Sequence, residues 1–252
     1  MNIGTYADGM PSWVELATPD APAAVRFYGE LFGWRAEPGS AGLRERSTCL
    51  LRGRPVAAIT SRAGLEHATW TTYVDVGDVD KAAADATAAG GTITTAPSDT
   101  ADIGRTALVT DHSGATFAVR QTARRDGTGL VDEPGSFSWA ELITDDVEAS
   151  AAFYGRVFRW TLTSPEGALN RRNWKLDDHA FSGLLPRPAG MPAEIPPYWD
   201  VYFTVADADA TVATVTRLGG AVLMPATATG HGTIAVFHDP AGGVFSVKEA
   251  AH

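Results

Sequence analysis

Two short stretches carry the same candidate chemistry at a constant offset of 126 residues: Trp13-Val14-Glu15-Leu16 and Trp139-Ala140-Glu141-Leu142. In an extended strand, alternation sends Trp13, Glu15 and Ala17 to one face, with Val14 and Leu16 on the other. The apolar pair belongs against a helix, so the indole and the carboxylate face away from it. The same reasoning turns Trp139, Glu141 and Ile143 one way. A second pair of stretches sends Thr71, Tyr73 and Asp75, and likewise Asp200, Tyr202 and Thr204, to one face. If the sheet curls, each half lines a cup with an indole, a carboxylate and a phenol. Trp13, Glu15, Tyr73 and Trp139 are thus the candidate ligand-binding residues, suited to a flat aromatic or cationic small molecule. The plainer reading makes the two indoles core. A buried carboxylate must find a donor or raise its pKa, and a partner such as Tyr73, or an arginine from the other unit, would make Glu15 purely structural.

The second half is richer. Glu141 and Asp200 face each other across its cup and form a candidate acid/base pair if their surroundings separate their pKa values. Tyr202 lies beside them. His179, His231 and His238 lack metal-ligand spacing. His179 and His238 read as turn residues. His231, between Gly230 and Gly232, sits in a loop able to cover the cup and is the best histidine for proton transfer. Glu141, Asp200, Tyr202 and His231 are therefore the catalytic candidates.

These residues need elements to hold them, and the chain supplies them twice. Phe27-Tyr28-Gly29 and Phe32-Gly33-Trp34 recur as Phe153-Tyr154-Gly155 and Phe158-Arg159-Trp160. Ala89-Gly90-Gly91 recurs as Leu218-Gly219-Gly220, and Asp111-His112-Ser113-Gly114 as Asp239-Pro240-Ala241-Gly242. A self-similar chain is a duplication. Inside each copy a finer repeat runs strand, helix, three strands. Trp13–Ala17 is a strand and Ala23–Phe32 a helix stopped by Gly33. Strands around Arg44–Arg46, Thr48–Leu51 and Val56–Thr60 come next, with a turn at Gly53-Arg54. Thr71–Val76, the helix Val79–Ala88, and strands at Thr92–Thr95, Thr106–Thr110 and Thr116–Arg120 repeat the order. The fold class is α+β: four βαβββ units in two tandem domains with cup-shaped mixed sheets. The first domain is residues 1–123 (units about 10–62 and 68–123). A polar linker covers 124–135, and the second domain is residues 136–252 (units about 136–187 and 197–250). Between the last two units, Pro186 to Pro197 with Met191 and Trp199 reads as a plain connector or a rigid rim.

Composition narrows the partners. A net charge of −10 argues against nucleic acid. No run approaches the ~18 apolar residues of a membrane helix, and the start is unlike a secretory signal, so a cytoplasmic protein without membrane partner is expected. The single cysteine, Cys49, between apolar neighbours, reads as a buried inert thiol. No dinucleotide fingerprint or phosphate loop is present, and no cofactor is expected.

The helix run Phe27-Tyr28-Gly29-Glu30-Leu31-Phe32-Gly33-Trp34, its copy, the Gly-Gly helix stops and the Asp-x-x-Gly hairpins together resemble the vicinal oxygen chelate superfamily, which holds glyoxalase I, the bleomycin-resistance proteins and the extradiol dioxygenases. The likeness runs from about Pro11 to Glu249 and is closest to tandem actinobacterial proteins labelled hydroxylases or glyoxalase-like. It implies paired units curling around a ligand. It also implies that metal ligands would fall at Trp13 and Trp139, Thr71 and Asp200, Ala118 and Ser246, with Ala57-Ala58 and Ser182-Gly183 on the other closing strand. Only Asp200 could coordinate, so the resemblance implies no metal site here. The expected function is a metal-independent enzyme (lyase, isomerase, cyclase or hydroxylase-like) acting on an aromatic or polyketide-like metabolite. The alternatives are a non-catalytic drug-sequestering protein of the bleomycin-resistance type and, third, an interaction or stress protein whose cups are filled by their own side chains. Each would be a monomer or homodimer.

Overall fold

A computed structural model describes residues 6–39, 45–100, 103–123, 127–230 and 232–250. The first unit is β1 (Met10–Thr18), α1 (Ala21–Phe32), β2 (Arg35–Pro38), β3 (Arg46–Leu51) and β4 (Arg54–Ser61). The second is β5 (Thr69–Asp75), α2 (Val79–Ala88), β6 (Thr92–Thr100), β7 (Gly104–Thr110) and β8 (Thr116–Gln121). The third is β9 (Phe137–Thr144), α3 (Val147–Phe158), β10 (Thr161–Leu162), β11 (Arg172–Leu176) and β12 (His179–Pro186). The fourth is β13 (Tyr198–Val205), α4 (Ala208–Arg217), β14 (Ala221–Thr229), β15 (Gly232–His238) and β16 (Val244–Glu249). Among the described residues these strands make two eight-stranded sheets, ordered β2-β3-β4-β1-β5-β8-β7-β6 and β10-β11-β12-β9-β13-β16-β15-β14. Each sheet joins two units through the antiparallel pair of their first strands, β1 with β5 and β9 with β13.

The helices start where an aspartate can cap them. Asp20, Asp78, Asp146 and Asp207 each accept a hydrogen bond from the backbone N–H three residues on, worth about 1 kcal/mol apiece. Two local expectations need correction. The first strand after α1 lies at Arg35–Pro38; of the strand expected at Arg44–Arg46, Arg44 lies outside the described residues and Arg46 opens β3. The tight turn before β4 is centred on Arg52 and Gly53, both at positive φ. A two-residue hairpin turn of that hand requires both residues there.

The core lies between the domains. Phe27, Tyr28, Phe32 and Trp34 of the first domain pack with Phe203 and Phe245 of the second, while Phe153, Tyr154 and Phe158 pack on Phe117. The Tyr28 hydroxyl donates to Asp239 Oδ2 (3.0 Å) and Tyr154 to Asp111 Oδ2 (2.9 Å). Trp70 Nε1 donates to the Tyr28 oxygen and Trp199 Nε1 to Tyr154. Burial first, then the facing aspartate, pushes both phenols far above their ordinary range, so they stay protonated donors. The Phe-Tyr and Asp-x-x-Gly motifs are thus two halves of one contact. The Gly-Gly stops serve it too. A Cβ on Gly91 would meet Phe153 at 2.9 Å, and one on Gly220 would meet Val215 at 2.8 Å and Phe27 at 3.3 Å. Trp199 belongs to this core and not to a rim, because its place in β13 puts it on the face opposite Asp200.

Arg124, Arg125 and Asp126 of the expected linker lie outside the described residues. The remainder of that segment is packed rather than solvated. Thr128 N–H donates to Ser12 O and Gly129 N–H to Pro55 O, and the Thr128 hydroxyl bonds Tyr6 (2.7 Å). Leu130 and Val131 are buried. Cys49 is buried and unpaired, its thiol pushed up to about 12 by desolvation.

Candidate functional site

The strand alternation places the candidate residues as expected: Val14 and Leu16 enter the apolar core, and Trp13 and Tyr202, though buried, stay outside it. Trp13 pairs with Tyr73 and Glu15 with Thr71 across β1 and β5. Trp139 pairs with Tyr202, Glu141 with Asp200, and Ile143 with Tyr198 across β9 and β13. Each sheet therefore presents an indole–phenol rung beside a carboxylate rung.

In cup one both carboxylates are compensated. Arg46 Nε donates to Glu15 Oε2 (3.0 Å), and the Thr60 hydroxyl donates to Glu15 Oε1. Arg120 Nε donates to Asp75 Oδ1 (2.9 Å) and its Nη2 to Ser12 Oγ. The two guanidinium carbons lie 6.0 and 5.8 Å from the Trp13 ring centroid, within cation–π range. Trp13 is 5% exposed. Tyr6 packs by the Asp75–Arg120 pair, whose charges act on its phenol. The arginine holding Glu15 comes from β3 of the same unit and not from the other unit. Register explains this: Ala58 of β4 lies beside Glu15, and β3 lies just beyond it, so a long side chain reaches across the alanine.

Cup two keeps one of these pairs and replaces the other. Arg171 Nε donates to Glu141 Oε1 and Tyr202 donates to Oε2 (2.9 Å). Arg171 also lies 5.8 Å from the Trp139 centroid. Thr204 and Lys248 stand where cup one has Asp75 and Arg120. Asp200, where cup one has Thr71, is 3% exposed and has no cation. Ser246 Oγ donates to its Oδ2 (2.5 Å), and Oδ1 has no hydrogen-bond partner. Desolvation raises the Asp200 carboxyl to about 7, against the Ser246 hydrogen bond that lowers it and with the Glu141 charge that adds to the rise. Burial and the same two carboxylates push Tyr202 well above its ordinary range, so it remains a neutral donor. Trp139 is half-buried, and its Nε1 has no partner.

Of the sequence candidates, Glu141, Asp200, Tyr202 and Trp139 come together; Trp13, Glu15 and Tyr73 form the other cup. His231 lies outside the described residues. His179 is exposed at the start of β12, and His238 bonds the Asp239 carbonyl. Sequence reasoning missed Arg46, Arg120 and Arg171, whose only signal was a charge inside a strand or, for Arg171, immediately before one. It also missed Tyr198, half-buried two residues before Asp200 on the same face. Gly183 lies beside Glu141, and a Cβ there would strike the Glu141 carboxylate and approach Trp139 Nε1 to 2.8 Å.

Of the positions to which the resemblance assigns metal ligands, Asp200 alone offers a carboxylate, too few donors to hold a divalent ion. An indole N–H only donates, Ala118 offers nothing, and the Ser246 hydroxyl is committed to Asp200. Among the described residues no three His, Cys, Asp or Glu side chains form a group able to hold one. No helix among them is long and apolar enough to cross a membrane.

Two eight-stranded sheets, each joining a pair of βαβββ units, define a tandem glyoxalase-type protein: the chain belongs to the Glyoxalase/Bleomycin resistance protein/Dioxygenase superfamily. The profile of that superfamily matches residues 11–119, and that of a glyoxalase-like domain matches residues 139–248. The chain is 38% identical to "Putative glyoxylase CFP32" of Mycobacterium tuberculosis (98% of this chain, 97% of that protein). It is 34% identical to "Anthracycline biosynthesis protein DauV" of Streptomyces sp. (97% and 94%). In fold it is similar to the Mn(II)-bound glyoxalase from Novosphingobium aromaticivorans, with a TM-score of 0.67, 18% identity and coverage of 98% of this chain and 84% of that one.

Proposed function

We propose that this chain is a small-molecule enzyme whose chemistry runs in cup two, without a metal, on a neutral aromatic carbonyl compound. The observation that carries the reading is Asp200: a buried carboxyl raised to about 7, with one oxygen free. Such a group is half-protonated near neutral pH, where general acid–base catalysis is most efficient. As a carboxylate it takes a proton from a carbon next to the substrate carbonyl. As an acid it returns that proton to another atom, which is the chemistry of an isomerase, cyclase or lyase and needs no oxidant. Glu141, both of whose oxygens are occupied, fixes charge beside it instead of moving protons. Because Arg171 compensates Glu141, any pull of cup two on a cationic ligand rests on Asp200 alone and is lost when that carboxyl is protonated.

The floor from the Trp139–Tyr202 rung to the Ile143–Tyr198 rung spans four residues, about 13 Å. It is aromatic at both ends and polar in the middle, which suits a flat fused-ring compound. Relatives named for anthracycline biosynthesis at 34% and 32% identity support that substrate class. The test is turnover of aromatic polyketides by wild type and Asp200→Asn across pH. Wild type is expected to show a limb near pH 7 that the variant lacks along with most of its rate. A compound that binds, shields Trp139 fluorescence and is recovered unchanged with every substrate class tried overturns the enzymatic reading in favour of sequestration.

A further inference from the structure

We infer that the first domain is the positioning element for cup two: Tyr28 and Ala68 hold the β15–β16 hairpin so that the Ser246 hydroxyl meets Asp200. The inference rests on the proposed function, since it assigns Asp200 the reacting role.

The hairpin turn is organised by Asp239. Its Oδ1 accepts from the backbone N–H groups of Ala241 and Gly243, and its Oδ2 accepts from Tyr28. Tyr28 is itself held by Trp70 Nε1. Further along the strand, Phe245 points into the interdomain core and lies 5.5, 6.2 and 6.1 Å from the rings of Tyr28, Phe27 and Phe32. Alternation then sends the next residue, Ser246, to the opposite face and onto Asp200. Two points on the approach to the serine, Asp239 in the turn and Phe245 beside it in β16, are therefore fixed by side chains of the other domain. A third tie is made by backbone: Ala68 N–H donates to Ala241 O (2.8 Å).

The reciprocal contact shows what is special here. Tyr154 holds Asp111 in the same way, and Phe117 packs on α3, yet the next residue, turned into the cup, is Ala118, with nothing to position. The counterpart of Ala68 is Pro197, which has no N–H to give. Cup two's hairpin is thus tied by two hydrogen-bond donors and cup one's by one.

Groups facing Asp200 are Glu141 on β9, Tyr198 and Tyr202 on β13, Ser246 and, two residues on, Lys248 on β16, with Arg171, just before β11, behind Glu141. Of the elements carrying them, β16 is the one that Tyr28 braces. Loss of the brace weakens donation from Ser246 and raises the Asp200 midpoint, because a hydrogen bond to the charged form is removed.

The experiment compares Tyr28→Phe with Tyr154→Phe in the full chain, following the Asp200 carboxyl by 13C NMR, with Asp200→Asn to assign the signal. The two variants lose equivalent interdomain hydrogen bonds, so a merely structural role moves both alike. Tyr28→Phe is expected to raise the Asp200 midpoint by about half a unit or more, with the alkaline shift repeated in the rate profile, while Tyr154→Phe leaves it in place. Equal shifts in both, or none in either, overturn the inference. Should Tyr28→Phe fail to fold, Ala68→Pro removes the backbone tie as position 197 does naturally, and an unmoved midpoint there also overturns it. A wild-type Asp200 titrating in the ordinary carboxylate range sinks the functional reading instead, and the difference between the two tyrosine variants still reports on the brace.

Discussion

In cup one, Glu15 answers Arg46 and Asp75 answers Arg120, with the Trp13 indole between two guanidiniums. In cup two, Thr204 and Lys248 replace the second pair, Trp139 is more open, and a new carboxyl, Asp200, sits directly opposite Glu141 with no cation of its own. The backbone is the same and the balance of charge is different. Compensated carboxylates close a cup and stabilise it, whereas an uncompensated one costs stability and gains a proton near neutral pH. That contrast is what the proposed assignment of the chemistry to cup two rests on.

Four measurements break or sharpen the contrast. The largest effect is expected for Asp200→Asn, which lowers turnover roughly 10²–10⁴-fold. Thr71→Val at the matching position of cup one leaves kcat unchanged; a comparable loss there would end the distinction. Next comes Arg120→Ala, which strands Asp75 as a buried charge and costs about 3–5 kcal/mol in urea unfolding, while Lys248→Ala at the matching position costs no more than about 0.5 kcal/mol. Equal costs would show that cup two relies on its cation in the same way.

Third is pH. The folded Asp200 carboxyl titrates at about 7 against 3.8 for the free group, so the native state binds the proton more tightly than the unfolded chain. Its contribution to stability is full below about pH 4 and is lost as pH rises through 7. Asp200→Asn is therefore expected to be more stable than wild type above pH 7, by at most about 4 kcal/mol, with the two melting curves converging near pH 4. A constant difference across that window would contradict the raised carboxyl. The smallest effect is expected for Gly183→Ala, which installs cup one's Ala58 beside Glu141. Crowding of the carboxylate against Trp139 costs about 1–3 kcal/mol, and an unchanged melting temperature would show that Glu141 has room to move.

Much of this was legible in the residues. The 126-residue offset, the strand–helix–strand order and the alternation at Trp13 and Glu15 depend on local pattern, and α2 begins and ends where Val79 and Ala88 indicated. What stayed hidden depends on register between distant segments. Arg46, opposite Thr60, and Arg171, close against Gly183, reach carboxylates two strands away, where Ala58 and Gly183 are the neighbours of Glu15 and Glu141. Likewise, Phe-Tyr and Asp-x-x-Gly stand out as motifs, but nothing local says that Tyr28 belongs to Asp239, 211 residues away. Trp199 was misplaced for the same reason: its neighbours in the chain are a proline-rich connector, and its neighbours in space are Tyr154 and Trp160.

The crossed contacts between halves, Tyr28 to Asp239 and Tyr154 to Asp111, have the form of a two-fold dimer interface. Two separate, identical subunits meeting this way must spell both cavities with one set of codons, so neither can gain a residue that the other does not. A single covalent chain escapes that constraint. Here position 71 holds a threonine while its counterpart, position 200, holds a buried carboxyl, a divergence that one covalent chain permits.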